Sequence, residues 1–149
     1  MDRSAEGRAG TPFTLDVERG KVREFARAVR AEHPAYAEGE ELVTPPTFLT
    51  TMFHCESEVP GANPWSLLNV DQKRGLHAEQ EYVFHGPPPR VGVRLTCQSR
   101  IERVYEKAGR RGGTLTFAVL VTEFRDSSGK LVAEARMTGV ETAENPEQR

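Results

Sequence analysis

Long apolar runs are missing from these 149 residues. The longest is Phe117-Ala118-Val119-Leu120-Val121, whereas a helix that crosses a bilayer needs about 20 apolar residues, so a transmembrane helix is excluded. Met1 to Gly10 likewise holds no apolar segment of the kind a secretory leader carries, and the expected location is the cytoplasm. Cysteine is scarce. Cys55 and Cys97 each stand without a second cysteine nearby, which fits neither a disulfide framework nor a zinc knuckle, and both read as reduced packing residues. The four histidines, His33, His54, His77 and His85, show no HxxxH spacing, so no metal site is expected. Hydrolase-elbow (GxSxG), dinucleotide (GxGxxG) and phosphate-loop (GK[ST]) signatures are absent, and no cofactor is expected. An excess of one charge is missing as well. Twenty basic residues face 22 acidic ones, which leaves the chain as a whole without a nucleic-acid footprint.

What is present suits one domain. The chain is 16.6 kDa, 37% hydrophobic, with a mean hydropathy of −0.57, long enough for one core and too short for two ordinary ones. Residues 1–12 and 142–149 are polar and aperiodic and are expected to be disordered tails around a folded unit spanning 13–141. Val22, Phe25, Ala26 and Val29 recur at helical spacing with Lys21, Arg23, Glu24, Arg27 and Arg30 opposite, which predicts an amphipathic helix ended by His33-Pro34. A second helix is expected from Pro45-Pro46 through Cys55. It is apolar nearly all round, so it should be buried, His54 included. Val59 to Gly75 is turn-rich.

From residue 76 the period changes to two. Leu76, Ala78, Tyr82 and Phe84, then Val91, Val93, Leu95, Cys97 and Ile101, then Leu115, Phe117, Val119 and Val121, then Leu131, Ala133, Ala135 and Met137 predict half-buried strands. Asp126-Ser127-Ser128-Gly129 joins the last two as a hairpin, and Pro87-Pro88-Pro89 separates the first two. Helices first and an antiparallel meander afterwards is an α+β plan: a bent sheet wrapped round one apolar helix. Arg90 to Arg111 holds seven basic residues against Glu102 and Glu106. It reads as a solvated strand face and loop, or more sharply as a docking surface for an acidic or phosphate-bearing partner.

Val22-Arg23-Glu24-Phe25-Ala26-Arg27-Ala28-Val29, His33-Pro34-Ala35-Tyr36, Thr44-Pro45-Pro46-Thr47-Phe48, Leu76-His77-Ala78-Glu79-Gln80-Glu81-Tyr82 and Val91-Gly92-Val93-Arg94-Leu95-Thr96 together resemble the MaoC-like hot-dog dehydratases. The resemblance covers nearly the whole folded unit. It is strongest to the non-catalytic subunits of mycobacterial-type (3R)-hydroxyacyl-ACP dehydratases, and it implies a single hot-dog fold.

Catalytic members carry GDxNPxH, whose Asp and His activate the water added to or removed from an acyl thioester. Aligned on Pro34, the Asp position holds Ala31 and the His position holds Tyr36. Alanine cannot ionise and an unperturbed tyrosine titrates near ~10, so neither serves as a base near neutrality. The family's His-Gly at the start of the central helix falls at Pro45-Pro46, which removes the backbone N–H that would hold the thioester carbonyl.

The resemblance therefore implies no catalytic residue of its own. It implies a partner, either a catalytic hot-dog subunit carrying the dyad or a second copy of this chain, and a β-hydroxyacyl or enoyl thioester on acyl carrier protein or coenzyme A. Tyr36, Thr47, Phe48 and His77 are the positions expected along the acyl channel, with plain core packing as the competing role. An edge strand left open by such a sheet predicts an obligate dimer. Two alternatives stand beside this reading: a homodimeric acyl-thioester-binding module without turnover, and a stand-alone enzyme using Glu32 or His33.

Overall fold

A computed structural model describes residues 1–110 and 113–143. The expected C-terminal tail beyond Ala143, like Arg111 and Gly112 of the basic stretch, lies outside the described residues. Strands β1 (Phe13–Asp16), β2 (Gly75–Phe84), β3 (Arg94–Ala108), β4 (Thr114–Arg125) and β5 (Leu131–Glu141) form one antiparallel sheet in the order β1-β3-β4-β5-β2. Helix α1 spans Arg19–Ala28, and α2 spans Met52–Glu58 behind a 3₁₀ turn at Phe48–Thr51. No helix among the described residues is long and apolar enough to cross a membrane.

Period-two patterning makes the strands: Leu95, Cys97, Ser99 and Ile101 of β3 and Ala118, Leu120, Thr122 and Phe124 of β4 alternate inward and are buried. Leu95, Cys97 and Phe124 join Phe48, Leu49 and Met52 in a core where the sheet wraps the turn and α2, while Ile101, Ala118 and Leu120 form a second cluster with Ala5, Leu68 and Val104. Asp126 Oδ1 accepts from the backbone of Ser128 and Lys130 and closes the β4–β5 hairpin as expected.

Six expectations need correction. On β4 the residues that alternate inward are Ala118, Leu120, Thr122 and Phe124, while Leu115, Phe117 and Val119 of the expected set are only half-buried on the opposite face, because the unbroken apolar run Phe117 to Val121 does not say which face is which. The strands do not form a simple meander, because β2 pairs with β5 and not with β3. The three prolines between them lack the N–H groups a hairpin would use, and the connection crosses the molecule instead. Helix α1 stops before His33-Pro34. Arg30 adopts φ +55° and the amides of Arg30 and Ala31 donate to Arg27 and Ala26 carbonyls, a Schellman cap made without glycine. Helix α2 is shorter than expected and is buried on one face only, with Phe53 38% exposed and His54 exposed too.

Residues 1–12 are docked, not disordered. Gly7 donates to Ile101, Ile101 to Arg8, and Gly10 to Ser99, which extends the sheet beyond β1. A bulge in β3 between Ile101 and Arg103 breaks the pairing register, and the Glu6 carboxylate accepts from the Val104 amide just beyond it at 2.7 Å. Gly10 is required for this docking, since a Cβ there would collide with the Ala62 carbonyl. Finally, a 3₁₀ turn at Pro64–Leu68 stands within the stretch read as loop, its start capped by Asn63.

Candidate functional site

The segment from Ala31 to Phe48 leads from α1 into the central turn and helix. Arg19 donates to the Gly39 and Glu40 carbonyls and Arg23 to Ala37, which ties the segment to α1. Its far end is fixed to the loop before β3: Val91 donates to Leu42, and the Thr44 amide and hydroxyl both donate to the Pro89 carbonyl. Buried Thr44 thus holds the start of the central turn in place.

Tyr36 is half-buried in a 3₁₀ turn, its ring 5.8 Å from that of His33. Thr47 is exposed just before the turn into α2, and Phe48 is wholly buried, edge-on to Phe25 at 5.6 Å. His77 is elsewhere. Exposed on β2, it lines a cavity of about 200 Å³ with Trp65, Val70, Leu76, Met137 and Val140, which none of the other three residues lines. The structure therefore brings Tyr36, Thr47 and Phe48 onto one segment and leaves His77 apart.

The two alternative bases lie on the surface. His33 Nδ1 accepts from the Ala35 amide at 3.2 Å, so this ring caps the turn, and His33 and Glu32 are both exposed. His85 pairs with Glu134 at 3.0 Å. Among the described residues no group of His, Cys, Asp and Glu is arranged to hold a metal.

Two features escaped the sequence reading. Tyr82 of β2 is half-buried and hydrogen-bonded with Thr50, and burial pushes its phenol up, so it stays neutral beside the central turn. Glu56 is 3% exposed on α2. It accepts from Ser99 Oγ at 2.7 Å and from Asn63 Nδ2 at 2.9 Å, and Ser99 in turn meets Thr122 at 2.8 Å. Burial raises the Glu56 carboxyl, and the hydrogen bonds from Ser99 and Asn63 partly offset this. A signal existed: Ser99 and Thr122 occupy inward positions of β3 and β4, directly opposite one another. The network anchors α2 to the sheet.

A groove of about 640 Å³ runs between β1 and α2. Phe13, Leu15 and Val59 supply apolar walls, and Thr51, His54 and Cys55 lie along it. The Thr51 hydroxyl is the one buried side-chain polar atom among the described residues with no hydrogen-bond partner. Both cysteines are free. Burial is the main cause that pushes Cys97 up to about 12 and also raises Cys55, so neither is an activated nucleophile.

Comparison with known proteins agrees with this architecture. A UPF0336 protein from Streptomyces griseus is 32% identical over 144 residues, covering 91% of each chain. A chain of the C-terminally truncated HadBC (3R-hydroxyacyl-ACP dehydratase) complex from Mycobacterium tuberculosis superposes with a TM-score of 0.71 at 27% identity, covering 94% of this chain and 98% of that one. The ChsH1–ChsH2 complex from the same organism gives 0.70 at 15% identity over 97% of this chain and 89% of that one, a likeness of fold. The fold is the hot-dog fold of these dehydratases. The family model described as "FAS1-like, dehydratase domain region" matches residues 4–135, and the chain belongs to that family.

Proposed function

We propose that this chain is the dyad-less hot-dog subunit of a heterodimeric (R)-specific hydroxyacyl/enoyl thioester dehydratase or hydratase. In that reaction water adds across, or leaves from, the C2–C3 bond of the acyl group. It needs one group to take or give a proton and a donor to hold the thioester carbonyl. The observation that carries the reading is the segment Ala31 to Tyr36. The position aligned with the family's Asp is Ala31, whose amide is already engaged in the α1 cap, and the position aligned with its His is Tyr36. A second hot-dog chain then supplies the Asp and His.

The open edge of the sheet supports such a partner. β2 is ten residues long, pairs with β5 on one side and with no other strand among the described residues, and exposes Leu76 at 56%. A strand added there satisfies a row of backbone groups and covers the leucine at once. The likeness to a chain of the HadBC complex supports a hot-dog partner as well. In this assembly Tyr36 and Thr47 flank the channel near the start of the central helix, Phe48 backs it, and His77 stands at the β2 edge facing the partner.

The test is co-expression with a hot-dog chain that has an intact GDxNPxH, followed by assay of the purified complex on crotonyl and longer enoyl thioesters. Turnover by the complex and none by this chain alone is the expected result. A complex that never forms overturns the partner reading and favours the non-turnover binding module.

A further inference from the structure

The basic residues of the 90–110 stretch fall into two sets. Arg90 pairs with Glu41 at 2.9 Å, Arg94 grips Asp16 through Nε and Nη2 at 2.6 and 2.8 Å, and Arg100 pairs with Glu102 at 3.2 Å. Their charge is neutralised within the chain. Arg103, Lys107 and Arg110 are exposed and make no ion pair among the described residues. Of the two carboxylates next to them in sequence, Glu102 is engaged by Arg100 and Arg136, and Glu106 alternates to the other face of β3.

Between these free cations lie two rings. Tyr105 and Phe117 are opposed across the β3–β4 register and stack at 5.1 Å with an interplanar angle of 8°. The Arg103 guanidinium lies 4.7 Å from the centre of the Tyr105 ring, and the Lys107 ammonium lies 5.3 and 5.4 Å from the two ring centres. These contacts hold two flexible cations in place before any partner arrives, which lowers the ordering cost of binding.

We infer that this end of the β3–β4 hairpin, made of Arg103, Tyr105, Lys107, Phe117 and Arg110, docks the acidic surface of the carrier protein that brings the acyl thioester. The inference rests on the thioester-subunit reading above. The Arg103 guanidinium and the Lys107 ammonium flank one ring, 4.7 and 5.3 Å from the centre of Tyr105 and so no more than about 10 Å apart, and Arg110 lies three residues beyond Lys107. Carboxylates one and two turns apart on an acidic helix, at about 5 and 11 Å, can answer all three cations, whereas a single diphosphate answers the nearer pair alone. Nucleic acid fits less well. The two rings face one another and are covered by cations, which leaves no face for a base to stack on.

The experiment uses the complex with a catalytic hot-dog chain and a discrete acyl carrier protein loaded with a crotonyl group. Binding is measured at about 25 and 250 mM salt, on either side of the range where exposed charges become screened. Arg103→Glu with Lys107→Glu is expected to weaken carrier binding at least tenfold at low salt and to flatten its salt dependence. Arg103→Gln with Lys107→Gln should give a smaller loss in the same direction. Arg90→Ala with Arg94→Ala should stay within twofold of the parent. Hydration of crotonyl-CoA by the same complexes tests the underlying reading separately. If no complex turns over either thioester, that reading falls. If CoA turnover is intact and the double Glu variant binds carrier like the parent, or the parent does not bind carrier, the docking site is overturned. Equal losses from the paired and unpaired arginines also overturn it, since they report only total charge. So does a single-stranded oligonucleotide whose binding depends on Arg103 and Lys107 when carrier binding does not.

Discussion

Gly139 sits near the C-terminal end of β5 between Ala118 of β4 and His77 of β2, beneath the indole of Trp65. A Cβ on residue 139 would lie 2.7 Å from Cζ2 and closer still to Cη2, where carbon atoms rest at about 3.5–4.0 Å. The indole would have to move by about 1 Å. The Trp65 amide is held by Asn63 Oδ1 at 2.9 Å and Pro64 beside it is buried, so the backbone stays and the ring must turn about its own side-chain bonds towards the cavity it lines. Overpacking of this kind costs about 1–3 kcal/mol, so Gly139→Ala is expected to lower the melting temperature by about 3–10 °C. Trp65 is the chain's single tryptophan, so its fluorescence reports the displacement directly, and urea titration of the same signal gives the free energy. Trp65→Leu removes the obstacle. In a double-mutant cycle, followed by circular dichroism where the tryptophan is gone, the penalty of Gly139→Ala should therefore shrink by at least ~1 kcal/mol once Trp65→Leu is also present. Additive effects, within about 0.5 kcal/mol, would refute the steric account.

Arg30 holds a left-handed conformation that costs a non-glycine residue about 1 kcal/mol, so Arg30→Gly should raise stability by about 0.5–1 kcal/mol in urea titration, and a loss would mean the arginine side chain supports the cap. Glu56 has a carboxyl raised by burial, so its contribution is fully present below the unfolded value and is lost as pH rises through the folded one. Wild type should therefore gain stability relative to Glu56→Gln as pH falls from 7 towards about 4.5, and parallel pH profiles would show that the group ionises without penalty. Cys97 is buried and pushed up to about 12, so a thiol reagent at neutral pH should label Cys55 alone until the protein unfolds, and rapid native labelling of Cys97 would contradict the packing described.

The strands were legible because period-two burial is written directly into Leu95, Cys97 and Ile101 and into Ala133 and Ala135, whereas the continuous apolar run Phe117 to Val121 marked a strand without marking its inward face. Their order was not, since a pattern of faces says nothing about which edge β2 joins. That choice depends on a connection through three prolines that forbids the short hairpin. The end of α1 is misplaced by sequence reasoning because the stop at Arg30 uses a left-handed arginine where glycine would have been the signal. Docking of the N-terminal segment depends on Glu6 meeting a bulge amide 98 positions away, which no local pattern announces. At the site, the positions that the resemblance aligns with the family's Asp and His were readable as Ala31 and Tyr36. The Glu56–Ser99–Thr122 network was hidden because a polar residue at an inward position looks like a break in the pattern until its partners are seen.

The central claim is that the proton-transferring groups belong to the partner. It is tested most directly by crotonyl-thioester hydration in the assembled complex, with substitutions placed in one chain at a time. Replacing the partner's dyad Asp should abolish turnover, while Tyr36→Phe or His33→Ala in this chain should leave at least half of it. Turnover by this chain without a partner, abolished by Glu32→Gln or His33→Ala, would contradict the account.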